Sequence, residues 1–486
     1  MQLQALTVLA REATLPALSR LILDGRIREA VAKAEEILGG RADEASSETA
    51  QLCADLMLAL DRTEEAEETY RLAVKLAGGA PRGAVRVVSC RSTGFLSLHQ
   101  QRFGTATACF ARLVADEAAT TAQRVEGLCA LAMARQGLGQ KTRALQALDE
   151  AGQLACEAGN AELAMLASLV RVELSARAEI RAHELLQDHV FWHPSAAEHR
   201  AAQEEVQPLA AIEICRAAHG HHPLIAQRLR HLRDLLRAAY GEPGLQETLV
   251  EHLASLRAAG LAGFEGAARL DTALVALALR QHDFARAVLE PMQARDAGAR
   301  RRWGMELSYC QAKLSMLGGR IDEAMQHYQR YALESMECVR AASLLAERLQ
   351  QPEGGNRPAE VRDDIEMRLP AKYRRAYRYL QAHLDCAELS VREIADDMGV
   401  TERALQSAFK AHLGMTPGEV VQRCRVERIR ADLLRADTVA ASVIETAARW
   451  GIRNRSTLIT SYRKYFRETP TQTLARRGMA DANATA

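Results

Sequence analysis

Residues 391–417 read VREIADDMGVTERALQSAFKAHLGMTP, and residues 443–470 read VIETAARWGIRNRSTLITSYRKYFRETP. The second stretch repeats the first. Val391, Ala395, Gly399 and Val400 recur 52 residues on as Val443, Ala447, Gly451 and Ile452. Beyond that point the offset becomes 53, and Leu405, Phe409, Leu413, Thr416 and Pro417 recur as Leu458, Tyr462, Phe466, Thr469 and Pro470. Each copy reads as a short helix, a turn at glycine and a second helix. Ser390 is placed to cap residues 391–398, with Glu393 three residues later completing a capping box. Gly399 supplies the positive φ of a tight turn, and Thr401 caps a helix that runs to about Leu413. Ser442, Glu445, Gly451 and Asn454 fill the same roles in the second copy, whose turn is one residue longer.

Two short helices joined in this way make a helix-turn-helix, whose second helix enters the DNA major groove. The outward positions of that helix are Glu402, Arg403, Gln406, Ser407 and Lys410 in the first copy. In the second they are Arg455, Ser456, Ile459, Thr460 and Arg463. Arginine pairs with two acceptors of guanine, and glutamine with adenine, so base contacts are expected from Arg403, Gln406, Ser407, Arg455, Ser456 and Thr460. Phosphate contacts are expected from Lys410, Arg425, Arg428, Arg463 and Lys464. Each copy ends in Thr-Pro, read as a cap followed by the first residue of a new helix. Between the copies, PGEVVQRCRVERIRADLLRAD (417–437) predicts a helix of about 18 residues, roughly 27 Å long. Val420, Val421, Cys424, Ile429 and Leu433 mark its apolar stripe. Such a rod sets two reading heads about one DNA turn (~34 Å) apart, so that one chain reads two half-sites.

The charge agrees with this division. Residues 371–478 carry 20 Lys and Arg against 12 Asp and Glu, a net of +8, while the whole chain is +1, leaving −7 elsewhere. A basic module joined to an acidic body implies that one part meets a polyanion.

The 486-residue chain is too long for one core, and its richness in Ala, Leu, Arg and Glu with 4% aromatics favours helices. Over residues 1–348 a small residue, an apolar residue four later and another apolar or small residue three later recur. The sets are Ala30/Ala34/Ile37, Ala66/Tyr70/Ala73, Ala106/Phe110/Leu113, Ala144/Leu148/Ala151 and Ala324/Tyr328/Tyr331, with a weaker copy beginning at Ala287. Spacings of 36, 40 and 38 separate the first four, and 37 separates Ala287 from Ala324. A period of this length marks stacked helix pairs similar to degenerate tetratricopeptide repeats. Residues 150–280 are helical without a legible phase. QQPEGGNRPAE (350–360) is a linker signal. The expected organisation is therefore all-α: a repeat region at 1–348, a linker at 349–364, a DNA-binding domain at 365–478 and a disordered tail at 479–486.

From about Leu369 to Arg477 the chain resembles the DNA-binding domain of AraC/XylS-type transcriptional regulators. The resemblance rests on YRRAYRYLQAHLDCAELSVREIADDMGVTERALQSAFKAHLGMTP, then CRVERIRADLL, then the second copy through ETPTQTLARR. It implies a bacterial regulator that binds promoter double-stranded DNA and recruits RNA polymerase as an activator. Three positions depart from the family pattern: Ile452 stands where an aromatic is usual, Ile459 where a small or polar residue is, and Arg467 where glycine is. The helical N-terminal half is unlike the β-barrel sensor common in that family. Joined to this domain, it is similar to regulators that activate type III secretion genes. The repeats would then bind a protein or peptide partner, or an unknown effector.

Other constellations carry little. GLGQKT (137–142) lacks the consecutive Gly-Lys-Ser/Thr of a phosphate loop. His219, His221 and His222 near Cys215 lack a second ligand cluster, and the ten cysteines are scattered singly. The expectation is no cofactor, no metal, no enzyme activity, no membrane span and a cytoplasmic location. The rival reading is a helical-repeat adaptor or chaperone whose C-terminal motifs have lost DNA binding.

Overall fold

The computed structural model describes residues 3–11, 13–40, 45–192, 207–293, 302–350, 369, 371–434, 443–466 and 468–473. Every regular element among them is helical. The chain divides into two compact units, Met1–Glu353 and Gly354–Ala486. The expected linker, from residue 351 onward, and the tail at 479–486 lie outside the described residues.

In the first unit the longer described helices fall into antiparallel pairs. The second helices of these pairs begin at Ile27, Thr63, Phe103, Lys141, Pro208, Leu245, His282 and Ile321. The pairing turn is built the same way in most of them. One residue takes positive φ, at Gly25, Asp61, Gln101, Gly139, Arg280 and Gly319. The next backbone N–H then reaches back to a carbonyl in the first helix, as from Arg26 to Leu21 (2.8 Å), Arg62 to Met57 (2.9 Å) and Arg320 to Ser315 (2.9 Å). This is the bond that closes a helix through a left-handed residue. Arg26, Arg62 and Arg320 each then pair with a glutamate three residues on, at the start of the second helix.

The small-residue pattern marks the buried seam of these second helices. Ala66, Tyr70, Ala73, Ala106, Phe110, Leu113, Ala144, Leu148 and Ala151 are all buried. Ala30 and Ala34 are buried beside a half-buried Ile37. Two positions differ from expectation. Ala287 is exposed, because the buried set of its helix is Ala285, Leu289 and Met292, two residues earlier in phase. Tyr328 is 43% exposed, while Ala324 and Tyr331 beside it are buried. The stretch without a legible phase resolves into the same plan: Leu249, Leu253 and Leu256 are the buried i, i+4, i+7 set of helix Leu245–Ala258.

The array also meets itself across distant repeats. Helix Ile321–Gln350 packs on helix Phe103–Ala115, where a Cβ on Gly104 would lie 2.8 Å from the Ala342 backbone. Registration is enforced by buried charge. Arg91 is 1% exposed and holds both Asp55 (2.5 Å) and Glu126 (2.6 Å), while Arg11 also grips Glu126 (2.8 Å) and the Tyr70 hydroxyl donates to Asp55. Removing one member would leave a buried charge uncompensated, so the network fixes one arrangement of its helices.

In the second unit we number the helices α1 (Ala371–Ala382), α2 (Val391–Asp397), α3 (Glu402–Leu413), α4 (Pro417–Leu434), α5 (Val443–Arg449) and α6 (Arg455–Phe466). Two small cores lie side by side. One gathers Leu380, Ile394, Leu405, Phe409, Val420 and Cys424; the other gathers Val426, Ile429, Leu433, Ala447, Leu458 and Tyr462. α4 serves both. At 3.6 residues per turn, Val420, Val421 and Cys424 point roughly opposite to Val426, Ile429 and Leu433. All five residues of the expected stripe are buried, and Val426 is a sixth that a single-face reading missed. Trp450 packs against both cores, and its indole N–H donates to Asp432 (2.8 Å).

Candidate nucleic-acid interface

The turns set the heads. In the first copy four residues, 398–401, separate α2 from α3; in the second, five residues, 450–454, separate α5 from α6. Gly399 (φ 62°) and Gly451 (φ 73°) hold the same place in each. Val400 N–H then bonds to Ala395 O (3.1 Å), and Ile452 N–H to Ala447 O (2.9 Å). The extra residue follows this shared bond, which is where the sequence offset changes.

The caps hold α3 and α6 in place. Thr401 Oγ1 accepts from Ala404 N (3.2 Å), and Asn454 Oδ1 accepts from Ser456 N (2.9 Å). Ser390 accepts from Glu393 N (3.1 Å), but the Glu393 carboxylate accepts from the Tyr379 hydroxyl (3.3 Å), so only half of the expected box forms. Ser442 lies outside the described residues. The two Thr-Pro endings form complete boxes. Thr416 N–H donates to Glu419 (3.0 Å) and Glu419 N–H to Thr416 Oγ1 (3.3 Å); Thr469 and Gln472 repeat the exchange at 2.8 and 3.3 Å.

On this frame Arg403, Gln406, Ser407 and Lys410 stand exposed along α3, and Arg455, Ser456, Thr460 and Arg463 along α6. Ile459, read as outward, is half-buried. Arg403, Lys410, Arg455 and Arg463 make no ion pair with another described residue. Arg428 is exposed on α4 with its guanidinium 5.6 Å from the Trp450 ring centre, and Lys464 lies 3.5 Å from Glu419. Arg467 lies outside the described residues.

Arg425 differs from the other expected phosphate contacts. It is half-buried; its Nε donates to Leu384 O (2.9 Å) and an Nη donates to Cys386 O. A Cβ on Gly451 would lie 2.8 Å from the same guanidinium. The side chain therefore braces the segment that follows α1 against the turn of the second copy, and burial pushes its pKa down. Sequence alone ranked it with the exposed arginines because only the fold reveals the two carbonyls it caps. The missed functional neighbour is Trp450, whose offset partner is Met398. An aromatic at a turn position, beside an arginine-rich helix, was the available signal.

The other constellations take the bland course. Residues 138–140 of this stretch form a turn between helices Thr121–Gly137 and Lys141–Glu157. Among the described residues no cluster of metal-ligating side chains is present, and no helix is long and apolar enough to cross a membrane.

Comparison with known proteins places this geometry. A helix-turn-helix domain family matches residues 394–476, which spans both heads and α4. The chain is 36% identical over 451 residues to the regulatory protein HrpB of Ralstonia nicotianae, covering 90% of this chain and 91% of that protein. It is also 37% identical over 106 residues to the probable thc operon regulatory protein of Rhodococcus erythropolis, covering 22% of this chain and 32% of the relative. No solved structure matches. With the double motif present and a regulator matched along almost its whole length, this chain belongs to the AraC/XylS-type regulatory proteins and, within them, to the family of HrpB.

Proposed function

We propose that this protein is a sequence-specific transcriptional activator that reads promoter DNA with α3 and α6 in successive major grooves. One observation carries the reading. Two copies of the same capped helix expose arginines that have no ion pair among the described residues together with short polar side chains, and one helix buried on both sides joins them into a rigid unit. A rigid joint holds two heads at fixed separation, which is what reading two half-sites demands. Arg403 and Gln406 on α3, with Ser407 beside them, are assigned to bases. Arg455, Ser456 and Thr460 are their counterparts on α6. Lys410, Arg428, Arg463 and Lys464 are assigned to phosphates; the brace formed by Arg425 removes it from that set.

We extend the proposal to type III secretion genes as the regulated set, on the combination of a helical-repeat half with this domain and the near full-length likeness to HrpB. RNA polymerase is the proposed partner of the DNA-bound form, and the first unit is the regulatory half. The test is binding of the full chain to fluorescent promoter fragments and to random DNA across a salt series. A shared salt slope with a specific excess of at least ~10³ supports the reading. Equal affinity for both DNAs at every salt concentration contradicts it and favours the adaptor.

A further inference from the structure

The last described helix of the first unit, Ile321–Gln350, opens as the second helix of the first pair does. Arg320 and Arg26 hold the same turn position, each bonded back to the preceding helix and paired with a glutamate three residues on. Ile321, Met325 and Tyr328 therefore occupy the places of Ile27, Val31 and Ala34. Those three are buried within the array, whereas here the same places lie open. With Met336 and Val339 they form a stripe 43–60% exposed, and the half-buried Ala332 sits within it. Steps of 4, 3, 4, 4 and 3 residues keep all six on one side of the helix, over about 27 Å of its length.

That stripe is not the face the helix uses inside its own unit. Ala324, Tyr331 and Ser335 form the adjoining face, buried where the helix packs on Gly304–Leu317 and Phe103–Ala115. Met316 and Leu317, just before the turn, extend the open apolar surface. Scattered exposed apolar residues are ordinary, but a stripe that keeps helical spacing over this length is the face one helix presents to another.

The stripe is complementary to itself. When two copies are set antiparallel about a two-fold axis near residue 330, Ile321 lies opposite Val339 of the second copy. Met325 lies opposite its Met336, and Tyr328, the bulkiest of the six, opposite its Ala332, the smallest. The axis repeats each pairing, so six apolar layers form. Asp322 and Arg340, exposed on the same flank of the stripe, then face each other across the joint, once on either side of the axis. A parallel pairing would set Asp322 beside Asp322 and Arg340 beside Arg340, so charge selects the antiparallel one. We propose that the protein dimerises through this face, as an antiparallel pair of Ile321–Gln350 helices. A dimer joined there brings two double-headed DNA-binding units together, a step beyond the reading of two half-sites by one chain. Its test involves no DNA, so it fails or stands apart from promoter recognition.

Sedimentation velocity of the full chain, over about 1 to 100 μM, reads the oligomeric state. One helix pair is a small interface, so a monomer–dimer equilibrium with its midpoint at about 10 μM is expected. Met325→Glu puts a charge into two apolar layers and should leave the chain monomeric throughout, with circular dichroism showing the helices kept. Asp322→Arg alone, or Arg340→Asp alone, should weaken dimerisation about tenfold. An equimolar mixture of those two variants restores both opposite-charge pairs and should recover the dimer, which a role of either side chain within its own chain would not produce. A chain that stays monomeric at the highest concentration overturns the proposal and leaves the stripe to a helix of another protein. A dimer unmoved by Met325→Glu overturns it by placing the joint elsewhere. Loss in the two charge variants without recovery in their mixture overturns the antiparallel pairing.

Discussion

The two helix-turn-helix copies share a plan and differ in what holds them. The first has its own core, closed by α1 and by Phe409 at the centre of α3. The second borrows: its turn rests on Arg425, which is anchored on carbonyls of the segment between α1 and α2, and its Trp450 reaches into both cores. The lesson is directional. A change in the first copy's core should disturb both heads, whereas a change in the outward face of either should be felt only at its own half-site.

The largest expected effect tests that asymmetry. Phe409 is fully buried, and Phe409→Ala should destabilise the second unit by about 3–5 kcal/mol, measured by urea denaturation of the full chain. Loss of DNA binding by both heads should accompany it. A footprint that loses only one half-site would show the copies to be independent.

Next come the turn glycines. Around Gly399 a Cβ meets no heavy atom within 4 Å, so Gly399→Ala costs only the left-handed backbone, about 1–2 kcal/mol. Gly451→Ala must also push the Arg425 guanidinium off its carbonyls, for a total of about 2–4 kcal/mol. Denaturation midpoints of the two variants, compared in one background, check the order. Equal midpoints would remove the brace from the account.

Of the proposed base contacts, Arg403→Ala should weaken specific binding by about 1–3 kcal/mol and relax preference at one base pair of one half-site. Arg455→Ala should do the same at the other half-site. Competition with single-base variants of the bound fragment reads both; equal losses on specific and random DNA would reassign either residue to phosphate. The smallest effect belongs to Arg428. Arg428→Ala should weaken all sequences alike and reduce the salt slope by about 1, read from affinities at several salt concentrations.

Much of this was legible in the sequence, for physical reasons that also explain the gaps. The double motif stood out because turn glycine, cap and core positions are each constrained and recur at a fixed offset. Its caps at Thr401, Thr416, Asn454 and Thr469 form as expected. The period of the first unit was legible through alanines that let helices approach. Its phase was lost over residues 150–280, where a buried seam such as Leu249, Leu253 and Leu256 begins with leucine in place of the small residue. Ala287 misled because the seam of its helix begins two residues earlier, at Ala285. Val426 was missed because α4 buries two opposite faces, which erases a single-stripe pattern. Arg425 could not be separated from its arginine neighbours, since carbonyl anchoring depends on contacts about 40 residues apart in the chain.

In this reading one chain carries two working heads at fixed separation. Hydroxyl-radical footprinting of the full chain on its promoter DNA tests it most directly. Two protected backbone patches are expected about one helical turn, ~34 Å, apart on one face of the duplex, with Arg403→Ala weakening one and Arg455→Ala the other. A single protected patch, unaffected by Arg455→Ala, would contradict it and reduce the second copy to a structural support.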